Sequence, residues 1–95
     1  MNEHVLNYPI TFKVFVEDSG DAPFVAYVPE FDISSCGKTE TEAIHNAREA
    51  LEITIEEIKK KGKLKEYLDE LGLPSHPSAK MQFPKIIIEP FSIAF

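Results

Sequence analysis

The side chains able to do chemistry in this chain are scattered carboxylates, three histidines and one cysteine, so metal-assisted hydrolysis is the first chemistry to weigh. Two-metal cleavage of a phosphodiester needs carboxylates converging from different elements of a core. Glu17, Asp18 and Asp21 fall at the end of a strand and in a turn, where acids serve turn geometry and solubility. Glu30 and Asp32 flank Phe31 in a short loop, and none of these acids sits inward in mid-strand. His4, His45 and His76 lie far apart, with no His-x-His or His-x-x-x-His pair, so a zinc site has no support. Cys36 precedes Gly37 without an adjacent basic partner and reads as a small strand residue. The expectation is a non-enzyme with no catalytic residue, no metal and no cofactor.

The elements that position these residues are legible in the spacing. Pro9 to Glu17 alternates, with Ile10, Phe12, Val14 and Val16 on one face and Thr11, Lys13, Phe15 and Glu17 on the other, which predicts a strand. The turn formers of DSGDAP return the chain as an antiparallel hairpin strand from Phe24 to Val28, which Pro29 ends. Ile33 to Cys36 is a third strand, leading through Gly37 and Lys38 into a helix. Thr39 and Glu42 have capping-box spacing, while Lys59, Lys60, Lys61 and Gly62 mark the helix end. Between them Ile44, Ala47, Leu51, Ile55 and Ile58 form an apolar stripe, widened by Ala43 and Ala50 for close approach to a sheet. Ile53 points nearly opposite that stripe.

A second, shorter helix is expected within 63–73, with Leu64, Tyr67, Leu68 and Leu71 at helical spacing and Gly72 with Pro74 as its stop. Residues 74–84 read as a loop, and Lys85 to Glu89, with three consecutive isoleucines, as a fourth strand before an apolar tail. The fold class is α+β: a small, mainly antiparallel sheet in the order βββα-α-β, with one long helix packed on one face. With 95 residues and 43% hydrophobic content the chain is one domain, its core within residues 8–62.

Sixteen acidic against ten basic residues give a net charge of −6, which disfavours general affinity for nucleic-acid phosphates and suits a basic partner. The basic run Lys59, Lys60, Lys61, Lys63 and Lys65 has no interleaved aromatic platform and reads as capping and solvation. No stretch is long and apolar enough to span a membrane. A lone cysteine and the absence of a leader pattern at MNEHVLNYP give a cytoplasmic expectation.

Three segments carry a family resemblance: YPITFKVFVED, FVAYVPEFD and SSCGKTETEAIHNAREALEITIEE. Pro29, Glu30 and Phe31, then Gly37 and Thr39, then Glu42, Ala43, Glu49 and Ala50 follow the pattern of the HicB-like antitoxins, formerly grouped as a family of uncharacterised small domains. The chain resembles that family over residues 8–62. Where many members have a Pro-Gly-Cys bend, this chain has Phe31, Asp32 and Ile33. It also ends without the helix-turn-helix or ribbon-helix-helix domain that other members append, so no direct DNA binding is expected.

The resemblance implies a partial ribonuclease H-like sheet and a type II antitoxin, neutralising a small basic RNA-cleaving toxin (HicA-like) by covering its RNA surface. Complementary charge would speed that encounter. Candidate partner-binding residues are Phe15, Tyr27, Glu30, Phe31 and Asp32. Phe31 has an equal reading as the residue that closes the end of the core. A homodimer or higher homo-oligomer is also expected, with Phe91, Ile93 and Phe95 as its interface. The alternatives are a self-associating module without a toxin and, further off, a ribonuclease H-like metal nuclease.

Overall fold

The computed structural model describes residues 8–17, 20–73 and 87–95. It is an α+β arrangement of three antiparallel strands in the order β1-β2-β3, with β1 Lys13–Val16, β2 Phe24–Val28 and β3 Ile33–Gly37, followed by α1 Glu40–Lys60 and α2 Leu64–Glu70. The hairpin register pairs Lys13 with Tyr27 and Phe15 with Val25, and β2 pairs Ala26 with Ser35 and Val28 with Ile33. Residues opposite one another share a face. Phe24, Ala26 and Val28 therefore join Ile33, Ser35 and Gly37 beneath α1, while Phe15, Val25 and Cys36 line the other side.

The first strand is shorter than its alternation predicts, for a reason that lies in its partner. Continuing the register sets Thr11 against Pro29, which has no N–H to offer a ladder. The Glu30 carboxylate takes the Thr11 N–H instead, at 2.8 Å. The fourth strand is a correction: Ile87, Ile88 and Glu89 carry no strand, and residues 87–95 form exposed, irregular chain. Lys85 and Ile86, like most of the predicted loop, lie outside the described residues. No helix among the described residues is long and apolar enough to cross a membrane.

Thr39 caps α1 in extended backbone, its Oγ1 accepting the Glu42 N–H at 3.1 Å. The return bond of a full capping box is not formed among the described residues. At the other end Gly62, with φ 69°, lets its own N–H donate to Lys59 C=O and Lys63 N–H to Ile58 C=O, which closes a Schellman motif. Gly72 ends α2 in the same way. The buried seam of α1 runs through Ala43, Ala47 and Leu51, with Ile44, Ile55 and Ile58 as half-buried flanks, so the small residues rather than the isoleucines face the sheet. Ile53 stays exposed on the far side. The core holds Ala26, Val28, Phe31, Ala43, Ala47, Leu51 and, from α2, Leu68.

Candidate functional site

The turn between β2 and β3 is held by several polar contacts. Val28 C=O accepts the Phe31 N–H at 3.2 Å, which folds Pro29 and Glu30 into a tight turn. Glu30 then bridges back to the chain before β1, accepting from the Thr11 N–H at 2.8 Å and the Thr11 hydroxyl at 2.7 Å. Partial burial alone would push the Glu30 carboxyl up. The two Thr11 donors, its own N–H and the charge of Lys13 together outweigh that and hold it below the ordinary glutamate value.

Asp32 occupies the left-handed region at φ 53°, which aspartate tolerates better than most side chains. Its Oδ1 accepts the Tyr27 hydroxyl at 2.9 Å. That bond, with burial and the nearby charges of Asp32 and Glu30, raises the Tyr27 phenol above its usual value. Behind the turn, Phe31 sits between Tyr8, edge-on at 6.3 Å, and Tyr67 of α2, stacked at 6.5 Å. The Tyr67 hydroxyl reaches Phe31 C=O at 3.5 Å, so α2 braces the turn from inside.

The five candidate partner-binding residues thus separate. Phe15, half exposed at 50%, and Tyr27 are diagonal neighbours on the sheet face away from α1, with exposed Asp32 bonded to Tyr27 at one end. Glu30 is occupied by Thr11. Phe31, only 6% exposed, closes the core, so in this fold it holds the turn rather than projecting from it. Phe91, Ile93 and Phe95 are exposed in the tail.

Among the described residues the metal-hydrolysis candidates do not converge. Among the described residues no group of three or more His, Cys, Asp or Glu side chains could hold a metal ion. Glu17 and Asp21 are exposed around the hairpin, while Asp18, His4 and His76 lie outside the described residues. His45 is exposed on α1 beside Glu49, 3.6 Å away at i+4. Cys36 is a free, exposed thiol on the open sheet face.

Three contacts were not legible in the sequence: the Thr11–Glu30 clasp, Arg48 over the Phe12 ring at 5.3 Å, and the Asn46 side-chain amide donating to Cys36 C=O at 2.9 Å. Each joins residues far apart along the chain, which no local period reports. Compared with known proteins, the chain matches no family model, no curated protein and no solved structure.

Proposed function

We propose that this domain is a protein-binding antitoxin, which neutralises a small basic RNA-cleaving toxin by covering its RNA surface. The observation that carries this reading is the open sheet face: Phe15 stands half exposed and Tyr27 half-buried beside the acidic, braced turn at Asp32. An aromatic anchor ringed by polar groups on a preorganised scaffold suits a protein partner, and a net charge of −6 suits a basic one. The HicB-like pattern from Pro29 to Ala50 supplies the class of partner. Catalysis has no part in this reading, because the acids are spread over turns and the surface of α1.

Co-expression tests it. A basic toxin encoded beside this gene arrests growth alone and is silenced by this protein, and Phe15→Asp weakens the rescue while circular dichroism stays unchanged. A toxin that does not bind, or a rescue indifferent to Phe15→Asp, refutes the assignment or this surface respectively. The purified protein leaves RNA and DNA intact with magnesium or manganese; turnover lost in Asp18→Asn would establish the nuclease instead. A self-associating module is the second reading, favoured by the exposed apolar tail.

A further inference from the structure

Two features of this fold stand unmatched, and they fit one another. The first is the outer edge of β1. Glu17 N–H donates to Pro23 C=O and Thr11 N–H to Glu30, so the odd-numbered residues of this stretch turn their backbone groups toward β2. Val14 and Val16 therefore direct N–H and C=O outward, where no group among the described residues meets them. The opposite edge is partly closed, since Asn46 of α1 occupies the outward Cys36 carbonyl. α1 packs over β3 and β2 and scarcely reaches β1, which leaves Val16 72% exposed on the helix side of the sheet.

The second feature is the tail. Over residues 87–95 the odd positions are Ile87, Glu89, Phe91, Ile93 and Phe95, and the even positions Ile88, Pro90, Ser92 and Ala94. Phe91 to Phe95 alternates as a strand does, while Ile88 and Glu89 depart from the pattern, and the large apolar side chains of the segment are all exposed. Suppose the odd residues turn their backbone groups toward β1. Pro90 then directs its missing N–H at solvent, the place an edge strand allows it. In the same phase Ile87, Phe91 and Ile93, with Glu89 among them, fall on the face of Val14 and Val16, beside the α1 flank that carries Ile44, Arg48 and Ile55, where Arg48 is the cation nearest that carboxylate's side of the sheet. Hydrogen-bond phase and side-chain face select one arrangement independently.

We propose that residues 87–93 of one copy add as an antiparallel edge strand to β1 of a second copy, the two copies exchanging tails. This goes beyond the toxin-binding reading and requires no toxin. A second copy is the occupant because the tail stays in solvent although no described residue of its own chain meets the outer β1 edge. The two Phe91 side chains of a reciprocal exchange offer roughly 300–500 Å², at about 150–250 Å² each. The isoleucines and the surfaces they cover bring the total to the order of 1,600 Å² typical of a stable interface. Reciprocal exchange closes on a two-fold axis.

The test uses full-length chains and light scattering. The unmodified protein has a dimer mass, Ile93→Pro or Val14→Pro gives a monomer with unchanged circular dichroism, and Ser92→Pro, whose lost N–H faces solvent, stays dimeric. Mixing Ile93→Pro with Val14→Pro re-forms a weaker dimer, seen at higher concentration, because the intact tail of one variant meets the intact edge of the other and one of the two exchanges is kept. A monomeric unmodified protein overturns the proposal, as does equal disruption by Ser92→Pro and Ile93→Pro. A mixture that stays monomeric at the highest soluble concentration places the tail on its own chain and also overturns it.

Discussion

Replacing Gly37 with alanine should destabilise this domain through a single contact. Gly37 is buried at the end of β3, where α1 begins, and a Cβ there would lie 2.5 Å from the backbone nitrogen of Ala43 and 2.9 Å from Glu42 C, against 3.4–4 Å for ordinary contact. The first turn of α1 must retreat by about 1 Å, and a gap of that size forfeits roughly a quarter to a half of the dispersion attraction across it. The groups that lose contact are the methyl-sized ones that brought helix and sheet together, Ala43 and Ala47 over Ala26. Overpacking of this kind costs about 1–3 kcal/mol. Alanine restricts the unfolded chain and returns about 0.4–1 kcal/mol of that. A net loss of roughly 1–2 kcal/mol lowers the melting temperature of a domain this size by about 4–16 °C. Thermal unfolding followed by circular dichroism reads it. Because the atoms met are backbone, adding Ala43→Gly does not restore the loss. A melting temperature unchanged or raised in Gly37→Ala would refute the close-approach argument.

Thr39→Ala removes the acceptor of the Glu42 N–H and should cost roughly 0.5–2 kcal/mol in chemical denaturation, an unchanged midpoint counting against this helix start. Glu30 has a depressed pKa in the folded state, so its contribution is fully present above the ordinary glutamate value of 4.5 and is lost as the pH falls through the folded value. Glu30→Gln should therefore flatten the fall in stability below about pH 4.5, and an identical acid limb would show that the Thr11 clasp is not formed in solution. At Asp32, held at φ 53°, glycine should be better tolerated than alanine by about 1 kcal/mol, because alanine keeps the left-handed strain and both lose the Tyr27 bond. The reverse order in urea midpoints would remove the left-handed turn.

The elements with local causes were legible in the sequence. Thr39 as a cap, Gly62 and Gly72 as stops and Phe24 to Val28 as a return strand follow from a few neighbouring residues, and the structure has them. What failed depended on residues far apart. The alternation from Pro9 to Glu17 says nothing of Pro29, yet Pro29 ends the ladder at its far side. Three isoleucines in a row favour a strand by propensity, but a strand needs an edge to join, and Ile87 and Ile88 meet none within the described chain. At the candidate site, the aromatic residues were visible and their directions were not. Phe15 and Tyr27 face outward because the hairpin register sets their parity, and Phe31 turns inward because Tyr8 and Tyr67 enclose it.

One packing choice links the stability of this domain to the surfaces it offers. Gly37, Ala26, Ala43 and Ala47 are the smallest residues available, and they draw α1 down over β3 and β2. A single helix seated there leaves β1 bare on its helix side at Val16, and no helix among the described residues covers the other sheet face, where Phe15 is half exposed. The strand with least cover is also the one whose outer edge no described residue meets, while Asn46 partly closes the β3 side. The small-residue seam thus fixes where stability is concentrated and which strand remains open to a partner.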